Sequence, residues 1–174
     1  GPLTDSGNVR GRAVAAYQDK KSFMDHYSRK TETYYGITEF DLSPDTMLTV
    51  GFDYQDNIPK GSSWSGSFPL VNSNGSINKM PRSYNNGTTW SSWEQNTRTA
   101  FAMLEHDMGD GWVTKFQLDH KINSYHADLG SIQFVQPAAD GTAEINGQKY
   151  TGETKSTSAD LYATGPFSLF GREH

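Results

Sequence analysis

The chain has 174 residues, enough for one domain or for part of a larger one. Only 34% of the residues are hydrophobic, against ~45 to 50% in ordinary soluble domains, whereas aromatic residues reach 13% and glycines number 17, a mixture typical of strands and turns. The net charge of −5 offers no basic field to a nucleic acid, and the absence of cysteine excludes disulfides and cysteine-based zinc sites.

The first predicted elements are two strands that form an antiparallel hairpin. Side chains alternate between two faces over residues 8–18 and again over residues 31–42, and a polar connection joins the two stretches. Matching charges and rings across the hairpin predicts three facing pairs: Arg10 with Asp41, Arg12 with Glu39, and Tyr17 with Tyr34.

The third predicted strand shows the clearest alternation in the chain. It spans residues 47–56, and one of its faces carries Leu48, Val50, Phe52 and Tyr54. A proline-containing turn at 42–46 joins it tightly to the strand before. Alternation then disappears over residues 57–92, a connection well beyond the ~12 to 15 residues usual for structureless loops. Such a loop is functional, disordered, or evidence against the assignment.

Three more strands are predicted in the second half of the chain, over residues 94–107, 112–125 and 154–170. The sequence does not fix which parity of the first of these faces the apolar side. A tight turn of the Asp-Gly type at 108–111 joins the first two strands, and residues 126–153 form a second long polar stretch.

The connections differ in length in an ordered way. Because consecutive strands of a meander run in opposite directions, the short turns lie at one end of the sheet and the expanded loops at the other. Outer-membrane barrels show this asymmetry, with short periplasmic turns and long extracellular loops. The strand face opposite the apolar one is polar, as expected for the water-filled interior of a barrel. It carries Arg10, Arg12, Glu39, Asp41, Asp53, Lys115, Asp119 and Lys121. The sequence therefore predicts an all-β fold, an antiparallel up-and-down meander of about six strands from a transmembrane β-barrel.

No pattern predicts catalysis or a metal site. His106, His120 and His126 lie near carboxylates, but no spacing places two ligands on one face in a known metal pattern. A nucleophile elbow, a phosphate-binding loop and a dinucleotide-binding glycine motif are all missing from the sequence. The strand carboxylates fit a polar lumen better than acid/base chemistry.

Two segments carry tryptophans in surroundings too polar to bury them. Trp64 lies in "WSGSFPL", and Trp90 and Trp93 lie in "NNGTTWSSWEQ". An aromatic ring in such a segment anchors a loop, lies at a membrane interface, or faces a ligand. The residues alone leave loop anchoring and ligand binding open.

A family resemblance runs through seven segments: "VRGRAVAAYQDKKSFMDHYSRKTETYYGI", "DLSPDTMLTVGFDYQD", "WSGSFPL", "WSSWEQNTRT", "LDHKIN", "QKYTGETKS" and "TGPFSLFGREH". In these segments the chain resembles the TonB-dependent outer-membrane siderophore receptors, and among them the ferripyoverdine receptors of fluorescent pseudomonads. The resemblance is interrupted mainly between residues 129 and 147. It implies a barrel of about 22 strands around an N-terminal plug, in the outer membrane of a Gram-negative bacterium.

By this resemblance residues 1–174 are part of the barrel domain, three hairpins without the plug, the signalling domain, the TonB box, the export signal or the remaining strands. The receptors are not enzymes, and no cofactor is expected because iron arrives only as the ferric siderophore. The implied partners are the siderophore, outer-membrane lipid, the TonB complex through regions missing from this chain, and bacteriocins or phages at the extracellular loops.

The resemblance also implies a binding site. Trp64 and Trp93 would reach an aromatic siderophore pocket, with Trp90 as the weaker candidate, because a planar chromophore on a polar peptide is held by stacking and a few polar contacts. Phe68, Tyr84 and Gln136 complete the predicted set. Gln136 stands where an aromatic residue would be expected, which bears on the pyoverdine that is bound.

Two other functions remain as alternatives. One is a soluble β-sandwich that binds carbohydrate through Trp64, Trp90 and Trp93 as a stacking platform, and that stays monomeric without detergent. The other is a fragment of a secreted hydrolase, which would need two converging carboxylates that the spacing does not indicate.

Overall fold

The computed structural model describes residues 1–64, 69–132 and 136–173. Six long antiparallel strands form one sheet in chain order: β1 (Val9–Lys21), β2 (Ser28–Ser43), β3 (Thr46–Lys60), β4 (Ser92–Gly109), β5 (Trp112–Ser131) and β6 (Asn146–Thr164). A small hairpin of β7 (Ser168–Leu169) and β8 (Arg172–Glu173) follows. The predicted six-strand meander is confirmed. Within the described ranges, no helix is both long and apolar enough to cross a lipid bilayer.

The connections sort by length between the two ends of the sheet. β2 joins β3, and β4 joins β5, through tight turns at one end, which we call the turn end. The longer connections 22–27, 61–91 and 132–145 all leave the opposite end, which we call the loop end. This is the asymmetry that the sequence predicts.

The pairing register fixes which side chains share a face, because successive residues of a strand point to opposite sides. On one side, the apolar face, Leu48, Leu104, Phe116 and Leu161 form a row, and Val50, Ala102, Leu118 and Ala159 form the next. On the other side, the polar face, Asp53, Thr99 and Lys121 share a row. The odd-numbered residues of β4 from Trp93 to Glu105 therefore lie on the polar face, which the sequence left open.

Large hydrophobic side chains lie exposed on the apolar face. Phe52 retains 52% and Leu161 72% of its accessible surface, and Ala127 and Leu129 are the buried hydrophobic side chains among the described residues. The second sheet in the described part of the chain is only the β7–β8 hairpin. A two-layer sandwich needs two sheets with a shared core, so the soluble sandwich alternative is wrong for these residues.

The β1–β2 register differs by two residues from the predicted one. Arg10 pairs with Glu39, Arg12 with Ile37, and Tyr17 with Glu32. Arg10 still reaches both acids, because its Nε donates to Glu39 at 3.1 Å and its two terminal nitrogens donate to Asp41 at 2.6 and 2.8 Å. Tyr34 instead contacts Tyr54 across β2 and β3, with 5.9 Å between ring centroids. A slip of two residues keeps every side chain on its face. The predicted faces are therefore correct, whereas the predicted cross-strand pairs are wrong.

The strands also extend further toward the loop end than predicted. β3 continues to Lys60, and β6 begins at Asn146 rather than at residue 154. Apolar residues no longer alternate with polar ones in these extensions, so the period-two signal vanishes although the backbone ladder continues. At the turn end β6 stops at Thr164, because Gly165 and Pro166 interrupt the strand that the sequence extends to residue 170.

Candidate functional site

An aromatic cluster lies at the loop end of the polar face. The register sets Trp93 of β4, Ala127 of β5 and Tyr150 of β6 in one row. Trp64, from the loop after β3, stacks on both rings, with centroids 5.7 Å from Trp93 at 13° and 5.0 Å from Tyr150 at 20°. Ala127, the small residue between the two strand-borne rings, is only 1% exposed. We call Trp64, Trp93 and Tyr150 the aromatic cluster.

The start of the loop after β3 is held in place by a glycine turn. Gly61 has a left-handed φ of 69°, and a Cβ there would lie 2.4 Å from the carbonyl oxygen of His26. Its N–H donates to the carbonyl of Ser91 at 2.8 Å, directly before the strand that carries Trp93. This bond fixes the chain three residues before Trp64.

A polar cleft of about 380 Å³ adjoins the cluster. Its lining residues include Trp93, Arg29, Gln55, Asn57 and Gln95, which carry an indole, a guanidinium and three side-chain amides. The amides donate and accept hydrogen bonds, and the guanidinium binds carboxylates or other anions. A flat ring next to these groups suits a ligand that joins a planar chromophore to a polar peptide.

The indole nitrogen of Trp93 is a buried donor for which the described residues provide no acceptor. A buried donor without a partner costs about 1–3 kcal/mol, and such groups are rare in native proteins. An acceptor atom on a molecule bound beside Trp93 would satisfy it. The nitrogen is therefore a second feature, besides stacking, that points to a ligand here.

Trp90 does not join the aromatic cluster. Gly130 pairs with Gly147, and both positions have the parity of the apolar face. A Cβ on Gly130 would come within 2.4 Å of the Trp90 Cζ2, and a Cβ on Gly147 would lie 3.5 Å from its Cη2. Trp90 thus covers a pair of glycines on the side of the sheet opposite Trp93, where it anchors the loop.

The remaining predicted site residues lie apart from the cluster or outside the described residues. Phe68 lies outside the described residues. Tyr84 is half-buried next to Asn85, and burial raises the pKa of its phenol above the ordinary value. Gln136 is exposed and precedes Pro137, whose carbonyl accepts the N–H of Ser73 at 2.9 Å, so the two long loops touch at this point.

The sequence prediction missed Tyr150, the third ring of the cluster. Tyr150 lies in "QKYTGETKS", an aromatic residue in a polar stretch, which is the signal that singled out the tryptophans. Within residues 1–64, 69–132 and 136–173, no group of three or more His, Asp or Glu side chains is placed to hold a metal ion.

Comparison with known proteins identifies the architecture. No protein-family model matches the sequence. The chain is 71% identical, over all 174 of its residues, to the ferripyoverdine receptor of Pseudomonas aeruginosa. It also matches the crystal structure of that receptor bound to ferripyoverdine with a TM-score of 0.95, over 99% of this chain and 23% of that one. Its fold is therefore that of part of the barrel of this receptor, which it resembles over its whole length.

Further relatives show the same similarity. The ferric-pyoverdine BN7/BN8 receptor of Pseudomonas putida is 39% identical over the whole of this chain. The chain spans 21% of the length of both curated relatives. The ferric preacinetobactin receptor of Acinetobacter baumannii, 16% identical with a TM-score of 0.77, shares the fold.

Proposed function

We propose that this segment forms part of the wall and extracellular rim of an outer-membrane receptor that binds a ferric siderophore of the pyoverdine class. The aromatic cluster beside its polar cleft carries the proposal. It is supported by 71% identity to a receptor whose crystal structure contains ferripyoverdine. In this arrangement the polar face lines the lumen, the apolar face contacts lipid, and the loop end is extracellular.

The apolar face runs along the strands as a continuous band. On β3 it extends from Leu48 to Tyr54, seven residues that rise roughly 3.4 Å each, so it measures about 20 Å along the strand. At the tilt of about 35–45° usual in outer-membrane barrels, this length covers about 15 Å of an apolar band that is about 25 Å tall. Beyond Tyr54 the same face becomes charged, with Asp56 on β3 and Glu94 on β4.

The chain's part in the receptor is recognition. The ring faces of the aromatic cluster hold a planar chromophore by stacking, at about 0.5–1.5 kcal/mol per ring pair beyond area burial. Arg29 and the cleft amides hold the polar peptide, and iron stays in the chelate as cargo. Energy for uptake comes from the TonB complex through parts of the receptor outside these residues.

Single alanine variants in the full receptor test the site. Trp93→Ala and Trp64→Ala each weaken ferripyoverdine binding by about fivefold or more in a fluorescence or calorimetric titration, since each removes a stacked ring. Trp90→Ala is the matched comparison, a tryptophan only three positions from Trp93 but on the opposite side of the sheet; it loses less affinity than either test variant, because it loosens the loop without removing a stacked ring. Unchanged affinity in both test variants, or an equal loss in Trp90→Ala, would overturn the assignment; heat-dependent gel mobility reports barrel assembly.

A bacteriocin is a second proposed partner at the loop end. A relative, 71% identical and with a TM-score of 0.95, has been solved in the FpvAI–pyocin S2 complex. The long loops offer a surface held to the sheet, since the N–H of Thr88 donates to Gly130 at 3.0 Å and Gly87 bridges to Ser131. Competition between pyocin S2 and ferripyoverdine for the full receptor tests this, and binding without mutual interference would place the two partners on separate surfaces.

A further inference from the structure

A wide depression lies on the apolar face where the apolar band ends. It is open at the surface, has a volume of about 710 Å³, and is lined mainly by two neighbouring rows of the sheet. In the first row Ala100 lies between Phe52 and His120, so a small side chain forms the floor between two large ones. The volume is in the range of ~300 to 1,000 Å³ typical of ligand sites.

Arg98 borders the depression on the side of the loop end. It lies between Tyr54 and Ile122 in the row directly above Ala100. Its side chain is exposed and makes no direct hydrogen bond or ion pair in the described part of the chain, and the Glu153 carboxylate of the next row is near enough to interact with it electrostatically. A cation next to an apolar depression matches an amphiphile with an acyl chain and an anionic headgroup.

A second cation stands in the same row. Ile122 separates Arg98 from Lys155 on β6, whose amine also contacts Glu153 at 2.8 Å. The next row toward the loop end is acidic, with Glu32, which also borders the depression, and Asp56. Arg98 and Lys155 thus place positive charge at the level at which the apolar band ends, where the phosphate of a membrane lipid lies. Lys30 and Lys60 of the same face lie two and three rows further toward the loop end.

We propose that this depression binds a phosphate-bearing lipid of the outer leaflet, with an acyl chain over Ala100 and the phosphate on Arg98 and Lys155. Charge-assisted bonds from arginine to phosphate are among the strongest hydrogen bonds in proteins, and basic residues at a membrane surface recognise anionic headgroups. The inference rests on the proposed outer-membrane placement but not on the siderophore.

The depression stays accessible when more strands are added to the sheet, because it lies away from the sheet edges. The depression is formed by residues of β2, β3, β4 and β5, whereas further strands would pair at the free edges of β1 and β6. An added strand extends a sheet sideways and does not cover its face. The side facing lipid in this segment therefore faces lipid in the complete receptor.

Lipid binding by the full receptor tests the proposal. Purified receptor is stripped of lipid in detergent and incubated with a bisphosphorylated lipid A analogue, and native mass spectrometry measures the retained lipid. Arg98→Gln lowers retention about fivefold or more, Arg98→Lys keeps most of it, and Ala100→Leu lowers it by filling the floor. Two matched controls retain normal binding: Lys121→Gln, at the same level on the polar face, and Ala102→Leu, one row nearer the turn end on the apolar face.

The alternative outcomes are distinct. Equal retention by Arg98→Gln and Lys121→Gln overturns the site. Inorganic phosphate that binds as well as the lipid and displaces it shows an anion site without a lipid, which also overturns it. Ferripyoverdine binding is measured on the same samples. Lost lipid with normal siderophore affinity supports the lipid site, whereas normal lipid with no siderophore binding counts against the proposed function alone.

Discussion

Tyr150 of β6 stacks on Trp64 of the loop after β3, with 5.0 Å between the ring centroids and 20° between the ring planes. The third ring of the cluster, Trp93, belongs to β4, two strands away from Tyr150. The rings meet because the β4–β5 and β5–β6 registers bring Trp93, Ala127 and Tyr150 into one row. The candidate site therefore depends on strand pairing across the sheet as well as on the loop.

The proposed function assigns the ring of Tyr150 a part in siderophore binding. We predict that Tyr150→Ala in the full receptor weakens ferripyoverdine binding by about threefold to tenfold, because a stacked aromatic pair contributes about 0.5–1.5 kcal/mol. Tyr150→Phe keeps the ring and loses only the hydroxyl bond to Gln148, so its affinity stays near that of the parent. A phenylalanine variant as weak as the alanine variant would show that the hydroxyl acts rather than the ring.

The strands and their faces could be predicted because the apolar band imposes a period of two. Leu48, Val50, Phe52 and Tyr54 alternate with polar or small residues whatever the pairing. The cross-strand pairing partner of each residue could not be predicted, because a two-residue slip in register leaves both faces unchanged. Arg10 illustrates this, since its long side chain reaches Glu39 beside it and Asp41 further along, so charge matching alone cannot fix the register.

The residues of the candidate site could be predicted only in part. Trp64 and Trp93 stood out as large rings in polar surroundings, and the structure brings them together. The side of the sheet on which Trp90 lies could not be predicted. Trp90 precedes the first residue of β4, so the alternation of side chains along a strand does not apply to it. Tyr150 was missed because the polar start of β6 gives no strand signal, so nothing placed it in a row with Trp93.

Two glycines beneath Trp90 allow a matched test of its packing. A methyl group on Gly130 would lie 2.4 Å from the Trp90 ring, whereas one on Gly147 would lie at an ordinary 3.5 Å. We predict that Gly130→Ala destabilises the loop end by about 1–3 kcal/mol through overpacking, while Gly147→Ala is neutral or slightly stabilising. Hydrogen exchange of residues 85–91 measures the difference. Equal exchange in the two variants would contradict the placement of Trp90.

Asn85 joins three parts of the loop end. Its side chain is 6% exposed, and its amide nitrogen donates to the carbonyls of Asp25 at 3.1 Å and Gly61 at 2.7 Å. Its side-chain oxygen accepts the N–H of Gly87 at 3.0 Å. One amide thus links the β1–β2 connection, the exit from β3, and the long loop itself. No charged or apolar residue can make this set of bonds, because it requires two donors and one acceptor.

We predict that Asn85→Ala loosens these connections without unfolding the sheet. It leaves two carbonyls and one N–H without their partner, at about 1–3 kcal/mol for each group that stays buried, while the strand ladders keep all their bonds. Hydrogen exchange should rise at residues 22–27, 61–64 and 83–88, and ferripyoverdine affinity should fall because Trp64 loses its anchored start. A second variant, Asn85→Asp, behaves similarly, since a carboxylate cannot donate hydrogen bonds to the two carbonyls.

The control is a second asparagine of the same loop. Asn74→Ala is the control, because Asn74 is exposed and, among the described residues, its oxygen accepts bonds only from Ser76 in its own turn. Exchange that stays at the parent level in Asn85→Ala, or rises equally in the control, would show that this amide does not hold the loops.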